Sequence, residues 1–499
     1  MTSAAKAPLP SSTAEDRRFF GHPRGLATLF LVEMWERFSW YGFRAILVLY
    51  LTASAVNGGL GMAETVAVGL YSVYNALIYI TPLAGGWFAD RVLGARKSVL
   101  AGGAVIASGH FVLAIPLGLS SFYAGLLLIA VGTGLLKANA SVVVGALYGR
   151  DDERRDSGFT IFYMAINIGA LLGIGLVSYL GTKINWHLGF AAAGVGMVIG
   201  LIAYVIGQKH LHGVCDGPTK RLSAAERSSV LKKSALWAGI AVAALAADLL
   251  LGTFHIAHVI NVLTLVAVAL PVILFVMMFR DRELTSDHKR KVTAFVWFYL
   301  AAAVFFMIFE QAGSMLNLFA QQHVDRMIAG WQFPTGWFQW VNPAFILMLA
   351  PVFAAVWSTL GSRQPATVTK FGVSMLIIGS SFLVMCGAVA AAGAAADGRT
   401  TMFWLIGVYF MQTVAELLLS PVGLSLSTKL APAKYSSQFM ALWLLAVATG
   451  SAVTAQMVKL QDEFGTIGYY ALAGGIAVLV GVALFATAGK VKQLTGDVR

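Results

Sequence analysis

Glu33, Glu36, Arg37 and Arg44 place four full charges inside the apolar run Leu26 to Thr52, which is long enough to cross a bilayer. Each charge costs roughly 2.5 to 3.5 kcal/mol at a membrane helix centre, so the set must be paired or wetted. At about 100° per residue, Glu33, Glu36, Arg37, Trp40, Tyr41 and Arg44 fall within an arc of about 140°, one stripe that faces protein or water. Two acids and two bases balance formally. That balance permits pairing, and it lets a proton enter the set with little electrostatic disruption.

Few other ionisable residues interrupt the apolar runs: Lys137, Asp248, Glu310, Glu416 and His110. Lys137 stands in Gly132-Thr133-Gly134-Leu135-Leu136-Lys137, where small residues allow close helix approach and leave room for a long amine. A lysine there needs an acid or an anionic ligand, and Glu310 is the expected partner; protonating Glu310 would release such a bridge. Glu416 precedes Ser420 by four residues, which puts both on one helix face, and Pro421 then frees a backbone carbonyl and allows bending. Asn167 offers a neutral amide, and Asn342, ahead of Pro343, either caps a helix break or contacts ligand. Asp248 has only lipid-like neighbours and is expected to snorkel or be protonated. His110 is expected to be a packed, hydrogen-bonded histidine.

The elements that position these residues are membrane helices. Of 499 residues 58% are hydrophobic and 12% charged, with mean hydropathy +0.76, which excludes a soluble globular class. Fourteen apolar spans are predicted, at about 26–53, 66–89, 98–119, 122–148, 158–182, 187–207, 233–252, 257–279, 292–320, 334–358, 368–391, 401–428, 437–458 and 467–488. With the amino terminus inside, only Lys183, Arg326, Arg399 and Lys459 of the 35 basic residues fall in outer loops. Both termini are therefore expected in the cytoplasm. The net charge of +12 then belongs to loops facing anionic headgroups and gives no reason to invoke nucleic acid. The first 25 residues carry Lys6, Arg17 and Arg18 without an apolar core and read as a cytoplasmic tail. Cys215 and Cys386 fall in different compartments and are expected as free thiols.

Polar stretches at 208–232 and 280–291 divide the spans six, two, six. The expected domains are an amino-terminal six-helix bundle (1–208), a linker with two extra helices (209–289) and a carboxy-terminal six-helix bundle (290–499). Leu93-Gly94-x-Arg96 returns as Leu360-Gly361-x-Arg363, a faint echo between the halves. Together with Gly85-Gly86-x-x-x-Asp90-Arg91, this resembles the major facilitator superfamily, and the fold class expected is an all-α membrane protein of that type.

The first-span string resembles the ExxERFxYYG motif of proton-dependent oligopeptide transporters, with Glu33, Glu36, Arg37, Phe38, Tyr41 and Gly42 matching. Lys137-x-Asn139-x-Ser141, the run Arg154 to Gly169, Phe309-Glu310-Gln311, Asn342-Pro343 and Glu416-Leu417-x-x-Ser420-Pro421 extend the similarity over both bundles. The resemblance implies proton-coupled import of di- and tripeptides by alternating access. It assigns proton coupling to Glu33, Glu36, Arg37, Lys137 and Glu310. It assigns peptide binding to Arg44, Lys137, Tyr41, Tyr79, Asn167, Asn342, Glu416, Ser420 and Trp443; gating is expected of Pro421, with Gly132 and Gly134, on the residues themselves. Two positions depart from the pattern: Trp40 replaces a Tyr, and Ala138 replaces the Pro that usually follows the lysine, so that flexibility of the fourth helix falls to Gly132 and Gly134.

No cofactor beyond the proton, no metal and no enzymatic activity are expected. A monomer in the cell (inner) membrane, surrounded by lipid, is. The rival within transport is a carrier of nitrate, a glycoside or a drug-like solute, for which Glu416 would have no amine to meet. A membrane-embedded enzyme is opposed by the lack of a nucleophile–base set or a nucleotide loop.

Overall fold

A computed structural model of the protein describes residues 16–149, 152–219 and 221–495. Lys6 of the tail and Lys220 of the linker lie outside the described residues. Helices follow the apolar runs: α1 (Arg24–Thr52), α2 (Glu64–Phe88), α3 (Ala95–Ala114), α4 (Leu119–Ala146), α5 (Arg154–Lys183), α6 (Trp186–Gly207), α7 (Ala224–Leu250) and α8 (Ile256–Arg280). They continue with α9 (Ser286–Phe309), the short α10 (Met315–His323), α11 (Val341–Leu360), α12 (Thr367–Ala394), α13 (Phe403–Lys429), α14 (Ser436–Met457), α15 (Gln461–Ala486) and α16 (Ala488–Thr495). Among the described residues twelve segments are apolar and long enough to cross a membrane. One of them, Ala433–Ala486, holds both α14 and α15, and α1 is left out of the twelve because of its charges, so fourteen such helices agree with the sequence reading.

α7 begins on a capping box: the Ser223 hydroxyl accepts from the Glu226 N–H, and the Glu226 carboxylate accepts from the Ser223 N–H. The apolar run expected at 292–320 is not one helix. α9 gives way at Glu310–Gly313 to a 3₁₀ turn, and α10 starts afresh at Met315. Two-residue strand pairs, Val324–Asp325 with Thr400–Thr401 and Met327–Ile328 with Trp331–Gln332, organise the loops beyond it.

The chain divides into two compact units. One comprises residues up to Trp40, Thr81–Ala170 and Ala191–Val262; the other comprises Tyr41–Ile80, Leu171–Phe190 and Leu263–Arg499. Within the first, α4 lies against α2 and α3 through bare backbone. A Cβ at Gly132 would meet Gly102 O at 2.6 Å, and one at Gly85 would meet Gly134 O at 1.9 Å. Gly132 and Gly134 thus serve close packing of a continuous α4. In the second unit, α12 runs along α13 and α15, with Phe371, Met375, Ile378, Phe382 and Met385 fully buried.

Candidate functional site

Arg37 is the node of the first charged group. Its Nε lies 3.1 Å from Glu33 Oε1, one helical turn back, and 2.5 Å from Glu36 Oε2. Exposures of 4%, 1% and 6% for Glu33, Glu36 and Arg37 show that the stripe of α1 turns inward. α5 makes room for it at Gly169, where a Cβ would meet Met34 O at 2.2 Å and Arg37 Cβ at 2.9 Å. Lys137 on α4 lies within electrostatic reach of Glu33, which brings the local count to two acids and two bases. Asn167, on the neighbouring stretch of α5, is half-buried and donates from Nδ2 to Tyr163 O on its own helix.

The second group is built in the other unit. Arg44 Nη2 lies 2.9 Å from Glu310 Oε2, and its Nε donates to the Tyr71 hydroxyl at 2.7 Å. Asn75 Nδ2 donates to both Glu310 Oε2 and Ser451 Oγ, at 3.1 and 2.9 Å. Arg44, Glu310, Tyr71, Asn75 and Ser451 are all buried. The break after α9 is what makes this possible: the 3₁₀ turn brings Gly313 so close that a Cβ there would strike Tyr71 Oη at 2.0 Å and Arg44 Nε at 2.9 Å. Arg44 takes the Glu310 carboxylate because the end of α9 turns it toward α1 and α2. Asn75 and Tyr71 were missed; their spacing with Tyr79 on one α2 face was the available signal.

Glu416 forms the third group. Asn342 Nδ2 donates to Glu416 Oε2 and to Thr413 Oγ1, each at 3.0 Å, so Asn342 ties α11 to α13 and is not a helix cap. Ser420 follows one turn on, half-buried, and Pro421 is exposed within an unbroken α13. Trp443 of α14 lies against Gly423, where a Cβ would meet the indole at 2.0 Å, and its edge contacts Phe306. Tyr41 and Tyr79 are half-buried within electrostatic reach of Arg44, as is Glu416. One unit thus presents a guanidinium, a carboxylate and an amide between aromatic rings, complementary to a molecule bearing an amine, a carboxylate and a polar link.

The loop ends of the same unit are latched. Trp337 and Trp340 stack at 4.4 Å, and their indole N–H groups donate to Gly175 O (3.1 Å) and Leu171 O (2.8 Å), one turn apart on α5. Asn317 Nδ2 donates to Ala45 O, Lys183 Nζ to Gln332 Oε1, and Gln322 to Glu64. Three tryptophans within 331–340 are the sequence signal for this latch. Asp248 is also corrected: its carboxylate is held by His258 Nδ1 at 2.8 Å and by the Thr253 hydroxyl, so it has polar partners at the end of α7.

The family model described as the POT family matches residues 96–472. The chain belongs to the POT family. Among its relatives in that family, the di-/tripeptide transporter of Lactococcus lactis subsp. cremoris is 40% identical over 97% of this chain and 99% of its own. The peptide transporter YePEPT of Yersinia enterocolitica is 34% identical over 88% of each. Of the solved POT structures, one of a peptide transporter in complex with sulfate superposes with a TM-score of 0.93 at 40% identity, covering 97% of this chain and 98% of the other. Another, of a family member in complex with 5-aminolevulinic acid, gives 0.92 at 34% identity, covering 96% and 99%. The chain is a multi-pass membrane transporter with the fold that its first-helix string and its span pattern pointed to.

Proposed function

We propose that this POT-family chain is a proton-coupled symporter that imports di- and tripeptides across the cytoplasmic (inner) membrane by alternating access. Its bundles, 1–208 and 290–499, rock about the central charges, with 209–289 as an accessory hairpin. Both termini are cytoplasmic, the working unit is a monomer in lipid, and the proton is its sole co-reactant. The relatives named as di-/tripeptide transporters support the substrate class.

The observation that carries the reading is the Arg44–Glu310 pair, bound at 2.9 Å in a buried setting. While Glu310 is ionised, Arg44 is committed to it. A proton on Glu310 cancels that attraction and frees the guanidinium for the peptide carboxylate, which links proton entry to substrate binding. Glu416 takes the peptide amine, Asn342 and Asn167 meet the backbone amide and terminus, and Tyr41, Tyr79, Ser420 and Trp443 wall side-chain space. Glu33, Glu36, Arg37 and Lys137 form a second proton-responsive set, which adjusts as α4, with Gly132 and Gly134, and α13, with Pro421, move.

Uptake of a dipeptide panel into proteoliposomes, with and without an inward proton gradient, tests this. Concentrative uptake is expected only with the gradient, and Glu310→Gln or Lys137→Ala abolishes it. Unchanged concentrative uptake in either variant overturns the assignment. If nitrate or a drug-like solute is moved and peptides are not, the rival carrier reading replaces it.

A further inference from the structure

The turn that carries Glu310 is fastened by helices other than the two its carboxylate meets. Gln311, the next residue, is buried and held at both ends of its amide: Nε2 donates to Met307 O on α9 at 2.8 Å, and Oε1 accepts from the Tyr469 hydroxyl of α15 at 2.9 Å. The Thr454 hydroxyl of α14 donates to the same Met307 carbonyl at 2.8 Å. It reaches that far because α14 meets α9 at Gly450, where a Cβ would strike Ala303 O at 2.4 Å and Met307 N at 2.6 Å. Tyr409 of α13 closes the set by donating to Ala312 O at 3.3 Å. Tyr469, Thr454 and Tyr409 are buried, and all three belong to the unit that holds Glu310.

Consecutive side chains leave a 3₁₀ turn about 120° apart, so Glu310 meets α1 and α2 while Gln311 meets α15. Rotating the turn would carry both side chains with it and would break the bond from Tyr469. The charged and titratable groups around the Arg44–Glu310 pair are Tyr41 on α1, Tyr71 and Tyr79 on α2, and Tyr409 and Glu416 on α13, with Ser451 reaching it from α14 through Asn75. Tyr469 reaches the pair through the backbone of the turn.

We infer that Tyr469 is a positioning residue for proton coupling: through Gln311 it fixes the rotation of the turn, so that the Glu310 carboxylate stays on Arg44 until a proton replaces the guanidinium. With the turn free to rotate, Arg44 is released without a proton and peptide passes uncoupled. The inference rests on the proposed symport reading.

The test compares two rates for labelled dialanine in proteoliposomes of the full-length chain: concentrative uptake driven by a proton gradient, and exchange against unlabelled dialanine without one. Exchange needs no net proton movement, so a defect in the fold alone slows both rates alike. Tyr469→Phe leaves Gln311 Oε1 a buried acceptor without its donor, which costs about 1 to 3 kcal/mol and favours rotated turns by about 5- to 150-fold. The ratio of driven uptake to exchange should fall at least about 5-fold. Gln311→Met should lower it similarly, and the double variant no further than the lower of the two singles. Tyr470→Phe is the matched control. It removes a hydroxyl that is equally buried on the adjacent residue and has no hydrogen-bond partner among the described residues, and it should keep the parent ratio. An unchanged ratio in Tyr469→Phe, an equal fall in Tyr470→Phe, or additive falls in the double variant overturns the inference. If the parent itself shows exchange and no driven uptake, the symport reading fails and takes this inference with it. Melting curves in detergent confirm that each ratio is read on folded protein.

Discussion

Replacing Trp337 and Trp340 together by Phe isolates the contribution of two indole N–H groups to latching the loop end of their unit. Phenylalanine keeps most of the ring stack at 4.4 Å and removes only the donors to Gly175 O and Leu171 O. Each neutral hydrogen bond contributes about 0.5 to 1.5 kcal/mol net, so the pair accounts for about 1 to 3 kcal/mol of preference for the latched form. Removing it shifts the ratio of unlatched to latched molecules about 5- to 150-fold. Nitroxides at Ile184 and Ile328, both exposed in the latched form, report that ratio by pulsed dipolar spectroscopy. The long-distance component should grow in the double variant, and by about half as much in free energy in either single variant. A distance distribution identical to that of the parent refutes the reasoning, because the donors would then contribute nothing to closure.

Glu310→Ala leaves Arg44 buried without its carboxylate and should destabilise the folded protein by about 3 to 5 kcal/mol, read as a lower melting temperature in detergent. Adding Arg44→Met should recover much of that stability and none of the uptake. Glu416→Gln should raise KM for dipeptides about 10- to 150-fold, the equivalent of a charge-assisted hydrogen bond of about 1.5 to 3 kcal/mol, and leave competition by desamino analogues unchanged. Asp281, in the loop after α8, is held down at about 2 by the Lys434 ammonium, the Glu283 N–H and the Tyr435 hydroxyl. A depressed carboxylate contributes fully above its ordinary value near 3.8 and loses its contribution only as the pH falls through about 2. Asp281→Asn should therefore leave the shape of the uptake pH profile between pH 5 and 8 as it was.

The sequence carried the membrane class, the helix number and the inward stripe of α1, because apolar length and charge cost are local properties of the chain. It also singled out Glu416 and Asn342, though not as partners across α11 and α13. Pairing was the part it could not carry. That Arg44 and Glu310 bind each other could not be read from composition. Their pairing goes with the 3₁₀ turn at Glu310–Gly313, where Gly313 lies against Tyr71 and Arg44, residues far off in sequence. Asn75 was invisible for a related reason: an amide in an apolar run reads as incidental until Glu310 and Ser451 converge on it.

The Arg44–Glu310 pair also bears on how the chain is made. The two residues are 266 positions apart, and the unit containing them takes its remaining helices from beyond Leu263. At about 5 to 20 residues per second, roughly 15 to 50 s pass between synthesis of the arginine and arrival of its carboxylate. During that interval a guanidinium destined for burial sits in the nascent bilayer segment with Tyr71 as its early ligand. Biogenesis therefore has a waiting step, in which insertion of the first helix must tolerate a cation whose counter-charge has yet to leave the ribosome.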